Sequence, residues 1–269
     1  MIMSVWDTDL AAGLQVCMED RLSCPRVRRH CVKRCPGDHA SLDEQPHDVA
    51  LDLAAGTGTR RHCRAAARDP TRVTRRLFLV AGSAGSGKST LAKALAHELD
   101  AGWLQLDSIW LAMKVAAGED TPARYVLDID RRMRREDEAD EDVLAAHVAA
   151  SGAVCRALPT VLGLELEAHE RLVADGAWLL PSFVTGLDLP DTDLSVVYVV
   201  QRTEADVETA LMPRRGGLPI EDRHRLMNRR IFQYGAWLAD EARAHNLPIV
   251  EALPFESLLD RAKAALLSH

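Results

Sequence analysis

No uninterrupted apolar run in this chain approaches the roughly 18 residues that span a bilayer, and the first residues lack the basic stretch and apolar core of a secretory signal. The expectation is a cytoplasmic protein with no membrane partner. Basic residues are the minority charge: 33 Lys+Arg stand against 40 Asp+Glu, for a formal charge of −7. That balance argues against wrapping a nucleic-acid backbone, while leaving room for a local phosphate site. Apolar residues are not scarce, at 47% of the chain, so a disordered or collagen-like chain is excluded and a sizeable core is affordable.

Cysteine is almost absent from the greater part of the sequence. Cys17, Cys24, Cys31, Cys35 and Cys63 crowd the first 76 residues, and only Cys155 lies beyond. The same 76 residues hold 13 Lys+Arg against 10 Asp+Glu, so they are net basic and the remainder is strongly acidic. They show no helical or strand periodicity and read as a poorly structured Cys- and Arg-rich extension, 1–76, ahead of an ordered domain, 77–269. A structural zinc site needs two tight ligand pairs, and only Cys31 and Cys35 approach one, so free thiols in a reducing compartment are expected. A start assigned too early on the gene would also account for this composition. The run Asp48 to Gly58 resembles the first glycine motif of S-adenosylmethionine-dependent methyltransferases. No second strand with a ribose-binding acid follows it, and it is read as a decoy.

The informative segment begins at Leu77. Leu77-Phe78-Leu79-Val80-Ala81 is a short continuous apolar run, the pattern of a strand buried on both faces. It runs into Gly82-Ser83-Ala84-Gly85-Ser86-Gly87-Lys88-Ser89-Thr90, which meets G-x-x-x-x-G-K-[ST] at every specified position. Leu91, Leu95 and Leu99 then recur at helical spacing. Strand, glycine loop and helix in this order form an anion cradle: glycines let backbone N–H groups converge, and the helix N-terminus adds its dipole. The reading places the Lys88 ammonium on the β- and γ-phosphates of ATP and the Ser89 hydroxyl on Mg²⁺, with Gly82 to Thr90 binding the nucleotide.

Further strands are expected at Trp103 to Asp107, at Arg171 to Ala174 ending in Asp175-Gly176, at Leu194 to Val200, and at Leu247 to Val250. A long helix carrying Ile231, Tyr234, Trp237 and Leu238 precedes the last strand, and a final helix runs from Ser257 to Leu267. Five strands separated by helical connections predict an α/β three-layer sandwich on a parallel sheet. Asp107 and Asp175 then fall at carboxyl ends of strands, where such sheets bind ligands. Asp107 is assigned to acceptor hydroxyl contact or general base and Asp175 to the Mg²⁺ water shell, with the swapped assignment as the alternative. Between them, 108–170 reads as a helical substrate region, with Val143 to Leu166 helical. The charged run Arg131 to Asp142 is expected to be a solvated surface, and His147 and His169 structural or solvent-facing. Arg124 and Arg156 are candidate acceptor contacts. From 202 to 230 the arginines Arg202, Arg214, Arg215, Arg223, Arg225, Arg229 and Arg230 surround a Gly/Pro centre, the composition of a lid. Arg214 and Arg215, nearest the glycines, are the candidates for neutralising charge on a transferred phosphoryl group.

From Leu77 onward the sequence resembles P-loop kinases of the nucleoside and nucleotide kinase group, on Gly82 to Thr90, Leu106-Asp107-Ser108, Val173 to Trp178 and the arginine-rich 202–230 segment. Within that group, Leu106-Asp107-Ser108-Ile109 and Asp175-Gly176-Ala177-Trp178-Leu179-Leu180-Pro181 look most like 2-phosphoglycerate kinase-type proteins, which tend to have Glu-Gly where this chain has Asp175-Gly176. The resemblance implies strand order 2-3-1-4-5, ATP with Mg²⁺, and a helical substrate-binding region between strands two and three. The expected activity is transfer of the γ-phosphate to a small hydroxyl- or phosphate-bearing molecule. The alternative is a P-loop ATPase driving a change in a protein or nucleic-acid partner, although no hydrophobic strand ends in adjacent Asp-Glu. A nucleotide-binding module without turnover is a third reading.

Overall fold

The computed structural model describes residues 74–215 and 220–267, with the backbone alone at 214 and 215. The clustered cysteines, the stretch from Asp48 to Gly58, the glycine centre at 216–219 and the side chains of Arg214 and Arg215 lie outside the described residues.

The described strands form a five-stranded parallel sheet in the order β2-β3-β1-β4-β5, as the resemblance implies. β1 (Arg75–Ala81) lies at its centre, flanked by β3 (Arg171–Gly176) and β4 (Thr192–Val200), with β2 (Gly102–Gln105) and β5 (Ile249–Glu251) at the edges. The unbroken apolar run of β1 has its explanation in this position. Leu77, Leu79 and Ala81 join the core on one face of the sheet, and Phe78 and Val80 join the core on the other. On the second face, α1 (Lys88–Glu98) contributes Leu91 and Leu95, and α10 (Leu258–Leu267) contributes Leu258, Ala262 and Leu266.

The first face is covered by most of the remaining helices: α2 (Leu106–Ala116), α5 (Asp140–Cys155), α6 (Leu158–Ala168), α7 (Pro181–Gly186), α8 (Glu204–Leu211) and the 23-residue α9 (Asp222–Ala244). Two short helices, α3 (Pro122–Leu127) and α4 (Ile129–Arg132), bridge α2 to α5. Among the described residues no single helix is long and apolar enough to cross a membrane.

Several boundaries differ from the sequence expectation. β2 stops at Gln105, and Leu106 and Asp107 open α2, so Asp107 is the second residue of a helix rather than the end of a strand. The helical stretch from Val143 to Leu166 is two helices bent by 45° at Arg156 and Ala157, where Pro159 sits in the first turn of α6. β5 is shifted to Ile249–Glu251 and the last helix starts at Leu258.

The charged run Arg131 to Asp142 is not merely solvated. Arg132 pairs with Glu138, and Asp140 accepts from Arg229 and Arg230 of α9, both at 2.8 Å. Arg230, expected in the lid, is instead buried at 2% side-chain exposure. It donates to the carbonyls of Arg132 (3.1 Å), Met133 (3.3 Å), Arg135 (2.9 Å) and Glu138, pinning the α4–α5 turn onto α9.

Candidate active site

The β1–α1 turn gathers the first part of the site. A Cβ at Gly82 would lie 2.4 Å from the Val199 carbonyl oxygen, so only glycine lets the loop leave the sheet against β4. Gly87 caps α1 at φ +85°, and a Cβ there would also strike the Phe255 ring at 2.9 Å. Lys88 and Ser89 open α1, and Lys88 is buried at 7% exposure. Ser83 Oγ donates to Gln201 Oε1 (3.3 Å) at the end of β4, while Gln201 Nε2 and Ser86 Oγ are buried with no protein partner.

Asp175 occupies the next-to-last position of β3, beside Val80, completely buried. Its Oδ2 accepts from Ser89 Oγ at 2.6 Å and its Oδ1 from Trp103 Nε1 at 2.8 Å. Burial pushes the Asp175 carboxyl up; the Ser89 hydrogen bond, the Lys88 charge and the Trp103 hydrogen bond work against that. A hydroxyl and a carboxylate in contact are hard oxygen donors beside a phosphate cradle, the donor set that suits Mg²⁺. The sequence expectation that Ser89 and Asp175 belong to one metal site is therefore compatible with where the fold brings them.

Asp107 stands in the first turn of α2, where the helix dipole favours a carboxylate. Its Oδ1 is buried without a hydrogen-bond partner, unlike either oxygen of Asp175. His147 is packed rather than simply solvent-facing, although part of it is exposed: its ring stacks on Tyr234 (centroids 3.6 Å, 8°) and tilts against Trp178 (5.5 Å). Burial holds its pKa down to about 3, so the imidazole is neutral. His169 stays at the surface next to Gly102, away from these groups. Arg124 is spent on the Lys114 carbonyl (2.8 Å), and Arg156 is an exposed residue at the end of α5.

Sequence reasoning missed Trp103, Gln201 and Phe255. Trp103 is opposite Val173 in the β2–β3 register, two residues before Asp175, a placement visible only once the two strands are paired. Phe255 and Gln201 help line a cleft of about 490 Å³ with Arg202, Glu251, Leu253 and Pro254, beside the glycine loop. No local pattern marks a residue that reaches a site from the loop after the last strand.

No family model matches the chain, and no curated protein matches it. Solved structures do. A gluconokinase from Sinorhizobium meliloti 1021 is 18% identical, over 73% of this chain and 94% of that one, with a TM-score of 0.43. A sugar kinase from Janibacter sp. HTCC2649 is 17% identical over 72% and 94%, with a TM-score of 0.44. A shikimate kinase from Acinetobacter baumannii, solved with shikimate, is 18% identical over 71% and 96%, with a TM-score of 0.39. At that distance the likeness transfers neither substrate nor residue roles to this chain.

Proposed function

We propose that the chain is an ATP-dependent phosphotransferase that moves the γ-phosphate of Mg-ATP to a small acceptor, with 77–269 as its catalytic domain and 1–76 as an extension, acting in the cytoplasm. The observation that carries the reading is the contact of Ser89 Oγ with Asp175 Oδ2 at 2.6 Å, beside Lys88 in a complete glycine loop, with Asp107 opening the neighbouring helix. The loop N–H groups and Lys88 would hold the phosphates, and the cleft lined by Phe255, Arg202 and Glu251 offers room for the nucleoside. Ser89 and Asp175 would hold Mg²⁺, which when bound supplies charge neutralisation of the triphosphate.

In the transfer itself, the acceptor oxygen forms its bond to phosphorus as the bond from phosphorus to the β–γ bridging oxygen breaks. ADP leaves with that electron pair, and the acceptor proton passes to the Asp107 carboxylate, whose Oδ1 has no other claim on it. The protein's contribution is chiefly positioning and fixed charge, with Arg214 or Arg215 neutralising the moving phosphoryl group. The resemblance to 2-phosphoglycerate kinase-type proteins adds a phosphorylated three-carbon acid to the acceptors worth trying.

The test is Mg-ATP turnover by the full chain and by Lys88→Ala, against nucleosides, nucleotides, polyols, sugar acids and phosphorylated three-carbon acids. Acceptor-dependent ADP release that Lys88→Ala abolishes is the expected result. Slow ADP release that no acceptor accelerates would replace this reading with a partner-driven ATPase.

A further inference from the structure

Hydrogen-bond accounting around Tyr234 is nearly complete, and its gaps fall together. Tyr234 Oη donates to the Ala177 carbonyl (2.7 Å) and meets Ser151 Oγ (2.8 Å). Tyr198 Oη reaches the Leu179 carbonyl, Cys155 Sγ the Trp178 carbonyl, and Trp110 Nε1 the Leu127 carbonyl. Against this background three buried polar atoms have no partner: Asp107 Oδ1, Trp178 Nε1 and His147 Nδ1. A buried polar atom left unpaired is costly, so a cluster of them in an otherwise satisfied region points to a ligand.

The three belong to one place. Trp178 stacks on Trp110 (centroids 4.9 Å), which lies three residues after Asp107 on the same face of α2, and the His147 ring lies 5.5 Å from Trp178. The Asp107 charge is felt at both Tyr234 and Asp175. Trp178 is only 4% exposed, whereas Asp107 and His147 are partly exposed and give the entry side.

The chemistry of the gap is one carboxylate oxygen that accepts, one indole N–H that donates and one neutral imidazole nitrogen. Lys88 is assigned to the nucleotide phosphates, and the following cations are committed to the protein itself. Lys114 pairs with Asp128 and Asp130, Arg132 with Glu138, and Arg229 and Arg230 with Asp140. A carboxylate or phosphate on the acceptor would meet Asp107 with like charge, whereas a hydroxyl donates to Asp107 and accepts from Trp178. We propose that the acceptor is a small uncharged polyhydroxyl compound, held by Asp107, Trp178 Nε1 and His147 Nδ1. The proposal rests on the phosphotransferase reading for the word acceptor, and on the orphan atoms alone for the class of compound.

The experiment uses the full chain and two independent readouts. ADP release is measured with glycerol, glucitol and myo-inositol, and with gluconate, glycerate and glycerol 3-phosphate as anionic counterparts. Binding of the same compounds is followed by isothermal titration calorimetry with Mg-ADP present, where no turnover occurs. At least one uncharged compound is expected to bind and to accelerate ADP release, and Trp178→Phe, which keeps an aromatic ring and removes the N–H, to weaken its binding about tenfold. If Trp178→Phe does not fold, His147→Phe keeps the stack on Tyr234, removes Nδ1 and supplies the same comparison. Acceleration by the acids or phosphates alone would overturn the acceptor class and leave the kinase reading standing. Polyol binding that is weakened by Trp178→Phe, with no ADP release, would overturn the kinase reading and leave the polyol site. No binding by any uncharged compound, or binding unchanged in both variants, would overturn the proposal.

Discussion

Arg230→Met removes the buried guanidinium that ties the α4–α5 turn to α9 and keeps an apolar stem of similar length. The native group sits at 2% side-chain exposure against Asp140 at 22%, and it also serves four carbonyls. Removing one partner of a buried pair costs about 3–5 kcal/mol, because the other charge and its acceptors lose compensation. Asp140 keeps Arg229 at 2.8 Å and Gln233 at 3.2 Å, which places the expected loss near the lower end, about 3 kcal/mol. The assay is equilibrium urea unfolding with the slope m held common to wild type and variant; at about 1–3 kcal/mol/M, the midpoint should fall by roughly 1–3 M. A cycle with Asp140→Asn isolates the pair, and the double variant should lose clearly less than the sum of the singles. A loss under about 1 kcal/mol, or strict additivity in the cycle, would show that the turn is held by its own packing and that this network does not stabilise it.

Two further outcomes follow from the same accounting. His147 is held at about 3 in the fold against about 6.5 when unfolded, so between those values the unfolded chain binds the extra proton and stability must fall with decreasing pH. The slope due to this residue approaches about 1.4 kcal/mol per pH unit below pH 6; urea midpoints at pH 7.5 and 5 should show it, and His147→Phe should flatten it, a flat wild-type profile being the contrary result. Trp103→Phe withdraws the donor that fixes Asp175 Oδ1, and roughly a 10–100-fold rise in the Mg²⁺ concentration needed for ADP to raise the melting temperature is expected. An unchanged Mg²⁺ midpoint would mean that the indole contributes nothing to the carboxylate's position.

The parts of this fold that sequence discloses are those whose pattern has a single local cause. A run buried on both faces reads as an apolar block, so β1 was legible. Glycines forced by close approach, as at Gly82 against Val199, mark the loop directly. Asp107 was legible as a site residue and illegible as a helical one, because the apolar run Trp103 to Leu106 passes from strand into helix with no cap residue at Gln105 to mark the change. Arg230 was misplaced for a different reason. Seven arginines in one segment look alike in sequence, and only the packing of α9 on the α4–α5 turn separates a buried clamp from exposed neighbours such as Arg223 and Arg225. Trp103, Gln201 and Phe255 reach the site across strand pairings or from the last connection, and neither has a signature in a single chain.

The two carboxylates that sequence left interchangeable are distinguished by what already occupies their oxygens. Asp175 is already engaged: Ser89 and Trp103 each donate to one of its oxygens, and the residue is completely buried. A carboxylate fixed in this way keeps lone pairs for a cation beside Ser89, but with no exposed surface it is badly placed to take a proton from an incoming hydroxyl. Asp107 is partly exposed, lies at the positive end of a helix, and keeps Oδ1 unclaimed. Those differences support Asp107 as the base and Asp175 as the metal-side carboxylate, since a base must have a lone pair available where the substrate arrives. The same bookkeeping explains why one environment could not serve both roles. The Asp107 charge already opposes ionisation of Asp175, and a second unbonded carboxylate at that position would be pushed toward its neutral form and lost to the cation.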